Sequence, residues 1–322
     1  MPASEFDIIQ RYFREGAGQI SGASVKAIRC GIGDDCAVLS IPAGEELLLS
    51  VDTLVESVHF PVNYSPVLLA RRALAVCVSD LAASGASPLA FTLALTLPAV
   101  DEVWLSGFSA SLAEAAAEFG VVLVGGDTTR GPLCMSFQVM GSAPTGQALL
   151  RNGAQIGDAI FVSGSLGDAN AALALLDCEP KGLLPDQQYL LARYHAPAPR
   201  LALGQKLRNL ATAAIDVSDG LAADLGHILK ASGVAGVLRV KDLPLSAALI
   251  NHGGALDAAL SGGDDYELCF TVPASRRGDV AVLSAALNLA LTEIGYIEAG
   301  NGLRCVDAQN NVYSPSSGYQ HF

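Results

Sequence analysis

The chain has 322 residues, 51% of them apolar and only 16% charged, where about 25% charged is usual; this excludes a disordered polyelectrolyte and fits one large or two ordinary well-buried domains. With 19 Lys and Arg against 32 Asp and Glu the net charge is −13, which disfavours nucleic acid and anionic membrane surfaces and suits a binder of cations. The seven Cys include no C-x-x-C pair and the five His no metal-ligand spacing, so a disulfide framework and a zinc site are both disfavoured; reduced thiols in a cytoplasmic protein are expected.

Ser4 and Asp7 mark a helix start continued by Ile8, Ile9, Tyr12 and Phe13, and a loop with Gly16, Gly18 and Gly22 follows. Short strands are predicted at 36–41 and 46–52. Ser65-Pro66 opens a helix running to about Ser84, because proline is tolerated in a first turn. Leu81 to Val100 carries no charge over a spanning length, but Gly85, Pro88 and Pro98 interrupt it. Leu89, Phe91, Leu93, Leu95 and Leu97 alternate with small residues, so a strand and not a membrane span is predicted. A helix from Asp101 to Phe119 closed by Gly120, a strand at 121–124 ending in Gly125-Gly126, and a strand at 133–142 complete the first half.

Pro144 to Gly157 is the predicted linker, which divides the chain into domains at 1–145 and 146–322. Beyond it, strands are predicted at 160–163, 213–217, 266–272, 292–298 and 303–307. Helices are predicted at 168–177, 186–195, 200–210 and 276–289. Another opens at Ser218-Asp219, carries Leu221, Leu225, Ile228 and Leu229 on one face and ends at Gly233. Helices and strands mixed in both halves give an α/β or α+β class.

The sequence has no P-loop, no kinase catalytic loop and no G-x-S-x-G, and Gly16-Ala17-Gly18 lacks the third glycine of a dinucleotide fingerprint. Carboxylates instead recur at strand ends, in all but the second case with glycine nearby: Gly33-Asp34-Asp35, Ser50-Val51-Asp52, Gly125-Gly126-Asp127, Asp216-Val217-Ser218-Asp219-Gly220 and Gly262-Gly263-Asp264-Asp265. Asp80 adds a sixth acid position, flanked by apolar Val76, Val78, Leu81 and Ala82. Taken singly, the glycine-bearing segments also read as ordinary turns, Asp219 as a helix cap and Asp80 as a charge on an exposed helix face. Together, in a lysine-poor chain, they read as Mg²⁺ sites that neutralise phosphates while glycine lets backbone amides approach. In an extended Asp-Asp pair only one side chain can serve a given face.

Seven strings in order resemble the thiamine-monophosphate kinase family of the aminoimidazole ribonucleotide synthetase-like superfamily: GIGDDCAVL (31–39), DTLVESVHF (52–60), FTLALTLP (91–98), GGDTTRGPL (125–133), DVSDGLAADLGHILKAS (216–232), SGGDDYELCFTVP (261–273) and GYQHF (318–322). The resemblance implies a two-domain fold whose N-terminal sheet pairs with its copy in a homodimer, beside a C-terminal α/β domain. It implies transfer of a phosphoryl group from ATP to thiamine monophosphate, direct and assisted by several Mg²⁺ ions, with no general base. By the same resemblance Asp35, Ser50, Asp52, Asp80, Asp127, Asp216 and Asp219 are metal ligands. Gly126, Asp127, Arg151 and Ser218 contact ATP, and His59, Asp264 and Ser316 contact thiamine monophosphate. Val51, Asp264 and Ser316 depart from the family pattern, where Thr, Glu and an aromatic residue are common. Alternatives are a superfamily member that forms an acyl or iminophosphate, and a non-catalytic binder of ATP and Mg²⁺.

Overall fold

The computed structural model describes residues 5–14, 26–178, 182–316 and 318. The expected cap at Ser4, the loop of Gly16, Gly18 and Gly22, and the closing string beyond Gly318 lie outside the described residues. The chain divides into two compact units, one of Met1–Leu81 with Ala86–Gly146, the other of Ala82–Gly85 with Gln147–Phe322.

The first unit is built on a four-stranded sheet of order β3-β6-β4-β5, namely β3 (Glu45–Val55), β6 (Cys134–Pro144), β4 (Ser87–Leu97) and β5 (Val122–Arg130). A two-stranded antiparallel ribbon, β1 (Ile28–Cys30) and β2 (Val38–Leu39), precedes it. Only β4 and β5 run parallel, which requires a crossover, and the helix α3 (Glu102–Phe119) supplies it. Asp101 caps that helix by accepting from the amides of Val103 and Trp104, at 2.9 and 3.0 Å. Gly120 ends it at φ 70°, donating its amide to the Ala116 carbonyl. Before it, α1 (Glu5–Ile8) passes into a π-helical turn, Ile9–Arg14, and not the ordinary helix that the apolar spacing predicts. Leu69, Ala73, Leu74, Val78 and Leu81 of helix α2 (Pro66–Ala83) are fully buried, as are Phe91 and Phe137, whose rings lie 5.9 Å apart.

The clearest departure of the first unit's strands from expectation is at β5. The predicted strand at 121–124 does not stop at its glycines. It runs through Gly125, Gly126 and Asp127 to Arg130, paired with β4 throughout. A Cβ at 126 would stand 1.9 Å from the Leu93 carbonyl oxygen, so the glycine serves close strand approach and not a turn.

The second unit carries a seven-stranded sheet of order β13-β12-β9-β11-β7-β10-β8. Its strands are β7 (Ala159–Ser163), β8 (Ala213–Asp216), β9 (Ala235–Arg239), β10 (Leu268–Val272), β11 (Leu291–Glu298), β12 (Gly302–Val306) and β13 (Val312–Tyr313). Apart from the parallel pair β9–β12, neighbours are antiparallel. Central strands buried on both faces read as continuous apolar runs, and successive residues serve different cores. Ile160, Val162, Ile215 and Cys269 pack with Leu221, Leu225, Ile228 and Leu229 of helix α7 (Leu221–Ser232). Ala159, Phe161, Ala214 and Phe270 pack on the other side with Leu203 and Leu207 of α6 (Leu201–Leu207) and Val280 of α10 (Arg277–Leu287). Before these helices in the chain lie α4 (Asp168–Ala172) and α5 (Pro185–His195), and between α7 and α10 lie α8 (Ala247–His252) and α9 (Ala255–Ser261). The predicted 168–177 helix ends early, at Ala172, and passes into a 3₁₀ turn over Leu173–Leu175. Among the described residues no helix is long and apolar enough to cross a membrane.

Phe270 is fully buried and stacks on Phe161 at 5.7 Å, so truncation leaves a cavity between two core walls. Phe270→Ala is expected to destabilise by about 3–5 kcal/mol, read as a lower urea midpoint. A loss below about 1 kcal/mol would contradict this packing.

Candidate active site

The pleat of β3 sorts its residues. Leu47, Leu49 and Val51 point to one face and are 45%, 54% and 63% exposed, whereas Ser50 and Asp52 point to the other, toward α2. Val51, one of the departures from the family pattern, therefore faces away from Asp52 and Asp80, and valine there removes no oxygen from that pair. Ser50 Oγ donates a hydrogen bond to Asp80 Oδ2. Cys77, one turn before Asp80 on α2, donates its thiol proton to Asp52. Burial, with the nearby Asp80 charge second, pushes the Asp52 carboxyl up to about 6, against the lowering effect of that thiol. Burial first, then the two carboxylates, pushes the Cys77 thiol well up, so it remains a donor. Cys77 is a supporting residue that sequence reasoning missed; the i,i+3 spacing to Asp80 was its only signal.

Strand register separates this pair from Asp127. Asp52 sits opposite Phe137, which sits opposite Leu93 and then Gly126; Asp127 belongs to the next row, with Ala94, Ser136 and Thr53. Adjacent rows face opposite sides of a sheet. Asp127 instead lines a cavity of about 760 Å³ in the first unit, together with Gly33, Asp34, Asp35, Gly125 and Gly126. Both acids of the 34–35 pair reach this cavity, contrary to the rule for an extended chain. The segment is a turn, in which Asp34 Oδ1 accepts the Asp35 amide at 2.9 Å. Arg14, at the end of the π-helical turn, lines the same cavity with its guanidinium over Gly33, a cation the sequence did not flag. His59 lies in the loop after β3 and is half-buried; its Nδ1 accepts the Val55 amide at 3.0 Å, leaving Nε2 as the protonated nitrogen.

In the second unit, buried Asp216 ends β8 and leads into Val217–Gly220. Asp219, a candidate helix cap, does not cap α7. Asp224 Oδ2 takes the amides of Ser218, Asp219 and Gly220 at 3.0, 3.0 and 3.1 Å and holds the turn from inside. Burial first and the Asp219 charge second push Asp224 up to about 7, while the three amides pull it down. The same turn is laced to the 261–267 segment. Asp264 donates its amide to the Ser218 carbonyl and Tyr266 to Val217, at 2.8 and 2.9 Å, and a Cβ at Gly263 would lie 2.3 Å from the Ser218 carbonyl. The structure thus brings Ser218, Asp219 and Asp264 together. Ser316 lies at the same end: its carbonyl accepts from Ser261 Oγ at 2.9 Å, and its hydroxyl bonds Asp257 at 3.1 Å. Tyr266 is not in a strand as predicted; it and Asp264 have left-handed φ values of 50° and 64°, and β10 starts at Leu268. Arg151 is exposed in the connecting segment, where its carbonyl accepts from Ser232 Oγ at 3.3 Å.

These donor sets are hard oxygens. Two carboxylates and a hydroxyl at Ser50, Asp52 and Asp80 suit Mg²⁺, which takes one or two carboxylates and completes its shell with water and phosphate oxygens. Among the described residues no three or more His, Cys, Asp or Glu side chains gather closely enough to hold an ion unaided. The folded chain holds the Asp52 proton more tightly than an unfolded one, whose Asp titrates near 3.8, so this group's contribution to stability is complete below that value and lost as pH rises through about 6. Asp52→Asn escapes that loss. In metal-free buffer its stability relative to the parent should rise by on the order of 2 kcal/mol between about pH 4.5 and about pH 8, measured by urea unfolding. An equal difference at both pH values would contradict the shift.

Residues 33–143 match the family model of the AIR synthase related protein N-terminal domain, and residues 155–308 that of its C-terminal domain. Thiamine-monophosphate kinase of Salmonella typhimurium is 47% identical over 328 residues, covering 100% of this chain and 99% of that protein. The crystal structure of thiamine-monophosphate kinase from Stenotrophomonas maltophilia superposes with a TM-score of 0.85 at 45% identity, covering 95% of this chain and 97% of that one. AaThiL complexed with AMPPCP and TMP superposes at 0.79 with 30% identity, covering 99% and 97%. Paired family domains over both units, and near-complete coverage at these identities, place the chain in the thiamine-monophosphate kinase family of AIR synthase related proteins.

Proposed function

We propose that this chain transfers the γ-phosphoryl group of ATP to thiamine monophosphate, giving thiamine diphosphate and ADP. The observation that carries this is end-to-end similarity to a kinase structure in complex with AMPPCP and TMP, with the acids and glycines of that reading present in this chain. The nucleophile is a phosphate oxygen of thiamine monophosphate. Its second pKa is about 6, so it is largely ionised at neutral pH and no protein base has to deprotonate it. The protein's task is to position and to neutralise.

Mg²⁺, when bound, supplies positive charge between the two sets of phosphate oxygens. In the first unit two places suit it: Ser50, Asp52 and Asp80 on β3 and α2, and Asp35 with Asp127 at the cavity. In the second unit Asp216 and Asp219 are the proposed ligands. Gly126 lets backbone approach the nucleotide at the cavity, while Arg151 and Ser218 are proposed ATP contacts. His59 Nε2–H offers a phosphate donor. Asp264 offers a carboxylate to the thiazolium, a permanent cation, or to the aminopyrimidine; Ser316 lies at the same end. Transfer is direct, without a phosphoenzyme. The exposed Leu47, Leu49 and Val51 row on edge strand β3 supports a homodimer through this sheet, and the reduced, unpaired cysteines support a cytoplasmic location.

Purified chain incubated with thiamine monophosphate, ATP and Mg²⁺ should yield thiamine diphosphate, and γ-labelled ATP alone should leave no label on the protein. Asp80→Asn should fold, since its amide oxygen can still accept from Ser50 Oγ, yet lose at least about a hundredfold in kcat, because one negative charge that would hold Mg²⁺ is removed. Labelled protein would refute direct transfer, and parent-like turnover in folded Asp80→Asn would refute the metal assignment.

A further inference from the structure

The segment Gly262–Glu267 alternates in purpose. Asp264 is half-buried and Tyr266 buried, with the Tyr266 hydroxyl donating to Asp264 Oδ1 at 3.1 Å. Asp265 and Glu267, between and after them, are almost fully buried. Both Asp265 oxygens accept the Gly167 amide, at 2.9 and 2.8 Å. Glu267 accepts from Ser163 Oγ at 2.5 Å, from Arg193 at 2.9 Å, and from Arg200 Nε at 2.6 Å, with a second Arg200 nitrogen on its other oxygen. Gly164 makes room for this carboxylate: a Cβ there would stand 2.2 Å from Glu267 Oε1. Arg193 comes from α5 and also lies 3.6 Å from buried Asp168; Arg200 immediately precedes α6.

Two half-buried arginines converging on one buried carboxylate form a rigid anchor, since the guanidinium fork matches the carboxylate plane in one orientation. The anchored residue lies one position beyond Tyr266 and three beyond Asp264, the two non-glycine residues of this segment in the left-handed region. Such a conformation persists only where its surroundings over-determine it. Here the turn at Val217–Ser218 holds the segment by backbone hydrogen bonds, and the arginines hold its far end.

We propose that Arg200 and Arg193, acting through Glu267, are positioning residues that fix the Asp264 carboxylate for thiamine monophosphate. They set affinity for that substrate without touching it. This rests on the reading of Asp264 as a substrate contact.

The test is a kinetic cycle on the full-length enzyme with Asp264→Asn, Arg200→Lys and the double variant. Lysine keeps the charge and removes the fork. Arg200→Lys is expected to raise KM for thiamine monophosphate about tenfold, with KM for ATP unchanged and kcat within about threefold. In the Asp264→Asn background it should add less than about twofold, because the group it positions is gone. An unchanged KM in folded Arg200→Lys, or effects that multiply fully in the double variant, would overturn the proposal, since a network serving stability alone lowers the unfolding midpoint and leaves the KM split unmoved. If Arg200→Lys does not fold, Arg193→Lys is measured in its place with the same expected and overturning results. An unchanged KM in Asp264→Asn alone would instead remove the substrate reading beneath the proposal, and so is distinguishable from failure of the positioning step.

Discussion

Like charge repels, and this chain's chemistry requires two phosphate-bearing molecules to meet. At an effective dielectric of about 20, each unit pair of like charges at about 4 Å costs about 4 kcal/mol. A protein with 19 basic residues and a net charge of −13 is poorly supplied to remove that cost with its own cations. In the proposed reading its acids recruit cations instead. Acids that serve solubility lie on exposed helix faces; here Asp52 is driven up to about 6 by burial and by Asp80, a state that a divalent ion would relieve. The hydrogen bonds from Ser50 and Cys77 keep the two carboxylates in place in the meantime.

Backbone geometry carries the rest of the arrangement. Gly126 allows β5 to lie against Leu93, and Gly263 allows the 261–267 segment to lie against Ser218. In both places a methyl group would collide with a carbonyl oxygen, so the residue type is dictated by chain approach. Buried acids then lock what glycine has permitted: Asp224 gathers three amides of the 218–220 turn, and Asp265 takes the Gly167 amide on both oxygens. Acids of this chain thus divide between those of the proposed site and those turned inward to hold its backbone.

Much of the fold was legible because local signals agreed with tertiary structure. Ser65-Pro66, Asp101 with Gly120, and the alternation from Leu89 to Leu97 each marked an element that is present. Strand β9 was not legible, because its five residues carry a glycine and follow a helix end closely. The 125–130 stretch read as a turn because glycine beside aspartate normally is one; only the approach of Leu93 shows otherwise. For the site, residue types were legible but partnerships were not. Asp34-Asp35 and Asp264-Asp265 look alike in sequence, yet the first pair shares a cavity and in the second Asp264 is half-buried while Asp265 turns inward to the Gly167 amide. That difference lies in left-handed dihedrals and in the Gly167 amide that Asp265 accepts, 98 residues distant, which no local pattern reveals.

The central claim is that Asp52 and Asp80 hold a divalent ion on which phosphoryl transfer depends. Mn²⁺ binding followed by electron paramagnetic resonance, with a non-hydrolysable ATP analogue and thiamine monophosphate present, tests it most directly. The account predicts that the folded Asp52→Asn chain binds at least one ion fewer than the parent, or binds one at least about tenfold more weakly. Equal stoichiometry and equal affinity in both proteins would contradict it.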